Sequence, residues 1–234
     1  MFQSAKNVVA QQIRKRQKLE TAKIFVMQPI RHMKTRRLIA KGGAPVSWYD
    51  DAYSESAADA YAVHYSASEY FPVWESICER IPKDARILEV GCGPAQFARM
   101  LLDKDIPGDY VGFDFSPSAI EMAKKNLPER RVEVGDARTT DLFTSVDYDT
   151  VVCTEVLEHI VDDVPVLERI PRGKQVLATV PDFDYVSHVR FFANAGEVRA
   201  RYGSLFSSLE ISEHYHSGDS DGSRGTFFLL NGVR

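Results

Sequence analysis

The feature that most constrains this chain is a regular alternation of strand-like and helix-like segments that begins after Pro82. Each strand-like segment is a short run of β-branched and aliphatic residues, and a stretch with helical spacing follows it. Successive β-α units form a parallel sheet with helices on both faces, because each right-handed crossover covers the sheet. The predicted strands are Arg86 to Val90, Tyr110 to Phe113, Arg131 to Val134, Asp149 to Cys153 and Gln175 to Val180.

Two helices in this region have clear start signals. Ser116 is a predicted N-cap, with Pro117 at the first helical position. Asn194, with Glu197 three residues later, forms a predicted capping box, and Gly203 ends that helix.

The last two apolar runs, Ser208 to Ile211 and Thr226 to Leu230, have no helical pattern between them. They are therefore predicted to pair as an antiparallel hairpin. The predicted fold is α/β: a Rossmann-like doubly wound, mostly parallel seven-stranded sheet with a C-terminal antiparallel hairpin and an N-terminal helical extension.

The turn after the first predicted strand, in ILEVGCGPAQFARML, contains a knot of small residues. Ligands of doubly wound sheets lie beyond the carboxyl ends of the strands, where a loop without side chains lets them approach the backbone. A dinucleotide fingerprint would require a glycine at position 96, where this chain has Gln96. The pattern is instead Glu89, Gly91, Gly93 and Ala95, which argues against a pyrophosphate site.

The stretch ILEVGCGPA resembles the first motif of the class I S-adenosylmethionine-dependent methyltransferases, in which this loop holds the methionine part of the cofactor. Most members have glycine where this chain has Ala95. YVGFDFS, VEVGDAR and YDTVVCTEVLEHI resemble the segments that follow the next strands, so the similarity runs from about Asp84 to about Arg201.

The resemblance implies specific cofactor contacts. Asp114 would accept hydrogen bonds from both ribose hydroxyls, and Asp136 would bind the adenine amino group. The alternatives are an acid at a helix N-terminus for Asp114 and a Gly-Asp turn for Asp136. The predicted cofactor-binding residues are Glu89, Gly91, Gly93, Ala95, Asp114, Phe115, Asp136, Ala137, Thr154 and Glu155.

Methyl transfer from a sulfonium requires alignment of the acceptor, and a base only for a hydroxyl or a charged amine. His159 and His188 follow the fourth and fifth predicted strands, so they are the predicted catalytic residues. For each, the alternative is a structural histidine that packs or binds backbone.

A second alternative treats Glu155, Glu158 and His159 as metal ligands, since ExxEH is the ligand pattern of small-RNA 2'-O-methyltransferases. His214 or His216 would have to supply a fourth ligand. Further downstream motifs of those enzymes are missing, so no metal is predicted, and the question stays open.

Charge is strongly segregated along the chain, whose net charge is −4. Residues 1–41 contain eleven basic residues and a single acid, Glu20, whereas the remainder carries a net charge of −14. Such an arm is predicted to contact an anionic surface, a carrier-linked substrate, nucleic acid or an acidic neighbouring subunit, or to be a solvated tail. Contact with an acidic neighbouring subunit is compatible with a homo-oligomer.

The predicted domains are a basic arm over residues 1–45, an aromatic helical lid over 46–83 and the methyltransferase core over 84–234. In the lid, Tyr49, Tyr53, His64 and Tyr65 are candidates to line an acceptor pocket, although aromatic residues there also serve to pack helices on the sheet.

Three cysteines without metal-ligand spacing, and no apolar run long enough for a membrane span, predict a cytoplasmic protein. The predicted function is S-adenosylmethionine-dependent methylation of a small molecule, at a hydroxyl of a sugar, quinone or secondary metabolite. RNA methylation with the help of the arm and a non-catalytic binding subunit are the alternatives.

Overall fold

In the computed structural model, residues 35–53, 63–106, 108–216 and 225–234 are described. Residues 35–40 are helical and belong to a unit that ends at Lys41, and a second compact unit runs from Gly42 to Arg234. The basic residues of the predicted arm up to Lys34 therefore lie outside the described part of the chain. Among the described residues, no helix has the length and apolar character needed to cross a membrane.

The second unit is built on a seven-stranded sheet whose strand order is β3-β2-β1-β4-β5-β7-β6. The strands are β1 (Ile87–Val90), β2 (Tyr110–Asp114), β3 (Arg131–Val134), β4 (Thr150–Cys153), β5 (Gln175–Pro181), β6 (Ser208–His216) and β7 (Gly225–Val233). The first five pair in parallel, and β7 pairs antiparallel with both β5 and β6. The predicted fold class is confirmed, with a C-terminal hairpin whose strands extend beyond the predicted runs.

The α-helices of this unit are α1 (Val46–Ala52), α2 (Phe71–Cys78), α3 (Gln96–Asp103), α4 (Pro117–Asn126), α5 (Leu142–Ser145), α6 (Asp163–Glu168) and α7 (Ala195–Tyr202). Ser116 caps α4, because its hydroxyl accepts a hydrogen bond from the Ala119 N–H. Asn194 caps α7 in the same way through the Glu197 N–H. Short 3-10 turns lie at Tyr65–Ala67, Leu157–His159 and Gly203–Leu205.

Successive residues of the central strands point to opposite faces of the sheet and bury both. Leu88 and Val90 of β1 join one apolar cluster, whereas Ile87 joins the other. Burial on both faces explains why these strands read as continuous apolar runs. The cysteines Cys78, Cys92 and Cys153 are buried and free.

Behind the carboxyl ends of β4 and β5, the buried carboxylate of Asp163 joins α6 to α7. It accepts hydrogen bonds from the Tyr202 hydroxyl at 2.6 Å and from Arg201 Nε at 2.8 Å, and it pairs with Arg190 at 3.1 Å. The Arg190 guanidinium also donates to the carbonyls of Leu157, Ile160 and Val161. These bonds hold the loop after β4 against the loop after β5.

Substitution Asp163→Asn is expected to destabilise the fold by about 3 kcal/mol, because it removes the charge that compensates two arginines in a buried network. This corresponds to a decrease in melting temperature of roughly 10 °C, measurable by calorimetry. The exposed neighbour Asp162 provides the control, and Asp162→Asn is expected to change stability by less than about 0.5 kcal/mol. Equal melting temperatures for the two variants would contradict the assignment.

Candidate cofactor and acceptor site

The loop after β1 turns so tightly that several of its residues have positive φ. Gly91 and Gly93 have φ angles of 71° and 50°. A Cβ at Gly91 would lie 2.3 Å from Val156 Cγ2, so a side chain does not fit there. Ala95 has φ 66°, in the left-handed region that glycine occupies at little cost. This conformation gives a physical reason why the resembling family prefers glycine at that position.

Asp114, at the end of β2, connects the glycine loop to the start of α4. Its carboxylate accepts hydrogen bonds from the Gly93 N–H at 3.0 Å and the Ser116 N–H at 2.9 Å. Burial raises the pKa of Asp114, and these backbone donors act in the opposite direction. Two oxygens carry about four acceptor sites, so the carboxylate has capacity for further donors such as ribose hydroxyls.

Glu89 lies within β1, almost fully buried at 2% exposure. Its Oε2 accepts a hydrogen bond of 2.5 Å from the Tyr110 hydroxyl. Burial raises the pKa of Glu89 to about 8, although the bond from Tyr110 lowers it. Tyr110 was not among the predicted site residues, and its identity as a strand residue gave no signal for this contact.

Asp136, which follows β3, has a charged partner within the fold. The carboxylate of Asp136 forms an ion pair with Arg138, with the Arg138 Nη2 at 2.6 Å, and this contact lowers the pKa of Asp136. Ala137 is buried beside it. An adenine contact by Asp136 stays a prediction, and an alternative partner for its charge is already in place.

Thr154 and Glu155 follow β4 directly, and Glu155 has a positive φ of 54°. This conformation is fixed by Thr179 of β5, whose hydroxyl accepts from the Glu155 N–H and donates to the Glu155 carboxylate. Phe115, after β2, packs edge-on against the Tyr49 ring at 4.7 Å.

Glu158, His159 and His188 meet at the carboxyl ends of β4 and β5. One ligand atom of each lies within 4.8 Å of the others. The rings of the two histidines are 4.9 Å apart, and His159 Nε2 lies 3.5 Å from Glu158 Oε1. The two predicted catalytic histidines are thus brought together, with an acid that the sequence had grouped with Glu155 instead.

The electrostatics of this cluster follow from its burial. Desolvation lowers the pKa of His159 to about 3, and the neighbouring His188 contributes in the same direction. Desolvation also raises the pKa of Glu158 well above its ordinary value, with a further contribution from the Glu155 carboxylate. The His159 ring is therefore neutral at pH 7 and too weakly basic to be an efficient proton acceptor on its own.

Helix α1 of the predicted lid covers the glycine loop and the start of α4. Asp50 accepts hydrogen bonds from the Ser116 hydroxyl at 2.6 Å and the Ser118 N–H at 3.2 Å. The Tyr53 hydroxyl lies 3.3 Å from the position that a Cβ would take at Gly93. The Tyr49 ring contacts His159, with centroids 5.8 Å apart. Asp50 was not among the predicted site residues.

The other lid candidates lie elsewhere. His64 is exposed and faces Asp103 of α3 at 3.9 Å, and Tyr65 stacks on Phe71. Gln96, in the place of the third dinucleotide glycine, donates to the Val63 carbonyl at 2.7 Å and so fixes the backbone before His64. These contacts favour a packing role for His64 and Tyr65.

Comparison with known proteins finds similarity to methyltransferases. Residues 88–178 match the family model described as a methyltransferase domain. The chain is 30% identical over 129 residues to a dTDP-4-amino-2,3,4,6-tetradeoxy-D-glucose N,N-dimethyltransferase of Saccharopolyspora spinosa, covering 52% of this chain and 49% of that protein. It is 35% identical over 81 residues to a ubiquinone biosynthesis O-methyltransferase of Alkalilimnicola ehrlichii, covering 33% and 32%.

A magnesium protoporphyrin IX methyltransferase of Synechocystis, solved with bound S-adenosylmethionine, has a similar fold. Its TM-score is 0.57 at 13% identity, and the match covers 80% of this chain and 96% of that structure. The chain spans between 16% and 49% of the length of the curated relatives it matches.

The strand order and the glycine loop beside an acid at the end of β2 define a Rossmann-like domain that binds a nucleoside-containing cofactor at its carboxyl edge. Residues 88–178 are similar to a methyltransferase domain, and the fold is similar to that of a methyltransferase solved with bound S-adenosylmethionine.

The burial of Glu89 generates a pH dependence of stability in the cofactor-free protein. Its pKa of about 8 in the fold exceeds the ordinary 4.5, so its protonated form is favoured by folding. The resulting contribution to the free energy of unfolding is complete below about pH 4.5. It is lost as the pH rises to 8, at up to ~1.4 kcal/mol per pH unit.

We therefore expect Glu89→Gln to gain stability relative to the wild type between pH 5 and 8, by roughly 2–4 °C in melting temperature per pH unit. Above pH 8 the difference is expected to be constant. Glu129→Gln, at an exposed position, is the control and should follow the wild type throughout. Parallel curves for Glu89→Gln and the wild type would refute the prediction.

Proposed function

We propose that the protein is an S-adenosylmethionine-dependent methyltransferase that methylates a hydroxyl group of a small molecule, such as a sugar, a quinone or a secondary metabolite. The observation that carries the proposal is the contact between the Asp114 carboxylate and the Gly93 N–H, because it holds a carboxylate that could accept from ribose hydroxyls next to the glycine loop. The similarity to a ubiquinone biosynthesis O-methyltransferase supports a hydroxyl acceptor. The similarity to an amino-sugar N,N-dimethyltransferase supports a small-molecule acceptor, although that enzyme is named for transfer to nitrogen.

The proposed cofactor contacts follow from these positions. Glu89, Gly91, Gly93 and Ala95 surround the methionine part, and Asp114 with Phe115 holds the ribose. Asp136 and Ala137 lie beside the adenine, and Thr154 and Glu155 close the cleft from the β4 side. When bound, the cofactor supplies an activated methyl group on its sulfonium.

The acceptor is proposed to lie between the glycine loop and the cluster of Glu158, His159 and His188. Tyr49 contacts both Phe115 and His159, so its ring spans the two sides of this space. A hydroxyl acceptor has to lose its proton during transfer, and this cluster concentrates the lone pairs that favour proton loss. His188 and His159 are therefore retained as the proposed catalytic residues.

Other aspects of the function are also proposals. The free buried thiols fit a reducing cytoplasm. The basic arm up to residue 41 is proposed to contact an anionic surface or carrier.

Binding of S-adenosylhomocysteine tests the cofactor site. By calorimetry we expect a Kd in the micromolar range, about −8 kcal/mol. Asp114→Asn is expected to weaken binding by at least ~10-fold, because hydrogen bonds to a charged acceptor are worth about 1.5–3 kcal/mol. Asp109→Asn, exposed before the amino end of the same strand, is the matched control and should bind normally. Equal affinities for Asp114→Asn and the wild type would contradict the ribose assignment.

The acceptor class is tested by measuring release of S-adenosylhomocysteine with a panel of hydroxylated sugars, quinols and phenols, and with RNA. Turnover with a hydroxylated small molecule is expected, because the proposed acceptor space is lined by aromatic rings and lies beside the cluster of Glu158, His159 and His188. Turnover with RNA alone would replace the proposal by its nucleic-acid alternative. Tyr49→Ala tests the position of the acceptor. Loss of turnover with small molecules in a variant that still binds the cofactor would indicate that the acceptor lies beside the Tyr49 ring.

A further inference from the structure

The carboxylate of Glu158 is the least satisfied polar group of the site. It is fully buried, and its oxygens have no hydrogen-bond partner apart from the neighbouring carboxyl group of Glu155. Its ionisable neighbours are the Glu155 carboxylate and the His159 ring. A buried carboxylate without a donor costs free energy, and a bound cation removes that cost.

The two histidines beside Glu158 are fixed in the same tautomer. His159 Nδ1 lies 3.3 Å from the Ser187 carbonyl oxygen, and His188 Nδ1 lies 3.0 Å from the Phe183 carbonyl oxygen. A carbonyl oxygen only accepts hydrogen bonds, so each Nδ1 carries the proton. The Nε2 atoms therefore carry lone pairs, as in metal-binding histidines that donate their other N–H to a backbone carbonyl.

The nearby guanidinium of Arg190 does not form an ion pair with the Glu158 carboxylate. Arg190 contributes favourably to the charge of Glu158, but its guanidinium is paired with Asp163 and donates to three backbone carbonyls. The Glu158 carbonyl accepts from the Val189 N–H at 2.8 Å, which fixes the backbone of the loop after β4 to the residue that follows His188. The cluster is thus preorganised and rich in lone pairs.

We propose that Glu158, His159 and His188 bind a divalent transition-metal cation. Two imidazole nitrogens and one carboxylate favour Zn²⁺, Co²⁺, Mn²⁺ or Fe²⁺ over Mg²⁺ or Ca²⁺, which prefer sets of oxygen ligands. Glu155, whose carboxyl group contacts that of Glu158, lies next to the ligands. The third ligand is His188, and His214 bonds instead to Ser212 on β6.

Three protein ligands leave coordination positions for the acceptor. An acceptor with two neighbouring oxygen atoms, such as a vicinal diol or an ortho-dihydroxy ring, would bind the cation through both oxygens. Because the cation stabilises the oxyanion, the bound hydroxyl would lose its proton more readily. This use of the cation rests on the proposed function, whereas cation binding itself does not. In this proposal the two histidines bind the cation, and the cation assists the loss of the acceptor proton.

The test is titration of Zn²⁺ alone into the full chain, free of tags and treated with a chelator, by calorimetry at neutral pH. We expect one ion per chain with a Kd of about 1 μM or tighter. Glu158→Gln and His188→Asn are each expected to weaken binding by at least ~100-fold, since both remove a direct ligand. His214→Asn, a histidine outside the cluster, is the matched control and should bind Zn²⁺ like the wild type.

A melting experiment guards against variants that fail to fold. Without metal, Glu158→Gln should melt at or above the wild-type temperature, because a buried amide of the same shape avoids the cost of ionising a buried acid. With Zn²⁺, the wild type and His214→Asn should gain thermal stability, and Glu158→Gln and His188→Asn should not. Visible absorption of bound Co²⁺ reports the same site independently of enzyme activity.

The proposal is overturned if the wild type binds no Zn²⁺ or Co²⁺, or if Glu158→Gln and His188→Asn bind as tightly as the wild type. S-adenosylhomocysteine binding, measured on the same samples, separates this result from failure of the proposed function. A chain that binds the cofactor product but no metal refutes the cation site alone.

Discussion

The proposed acceptor side of the site depends on one buried carboxylate, that of Asp163. It compensates the charge of Arg190, whose guanidinium binds three carbonyls of the loop after β4. Glu158 and His159 belong to that loop, and His188 lies two residues before Arg190. The same ion pair therefore sets the distance between groups from two different loops. An error of an ångström there would separate ligand atoms that now lie within 4.8 Å of one another.

The two sides of the cleft have opposite chemistry. On the cofactor side, backbone N–H groups of the glycine loop and of α4 point at the Asp114 carboxylate, so the charge is satisfied within the fold. On the proposed acceptor side, Glu158 faces only the carboxyl group of Glu155 and two histidines whose Nε2 atoms carry lone pairs. The first arrangement suits a neutral sugar ring that donates hydrogen bonds, whereas the second suits a positive charge. The difference arises because Asp114 faces the start of α4, whereas Glu158 faces the carboxyl group of Glu155.

The sequence predicted the five parallel strands to within one residue at each end, because buried parallel strands are apolar without interruption and glycine or proline separates them. The two strands of the C-terminal hairpin are longer than predicted. The sequence also located Asp114 and the cap of α4, since both depend on neighbours along the chain. Contacts between distant segments were not predictable. Asp50 reaches Ser116 across 66 residues, and the Glu158 cluster needs His188 from the next loop. Only the packing of β4 against β5 brings His188, and not His214, to Glu158.

The lid shows where composition misleads. Its aromatic residues suggested a pocket, but Tyr70 packs against Phe227 of β7 and Trp74 packs against Phe97 of α3. Tyr49 and Tyr53 differ because α1 is anchored by Asp50 to the start of α4, directly over the glycine loop. The anchoring acid, rather than aromatic character, decides which rings reach the site. Since Asp50 bonds to the same Ser116 whose N–H binds Asp114, the position of α1 is coupled to the ribose side of the cleft.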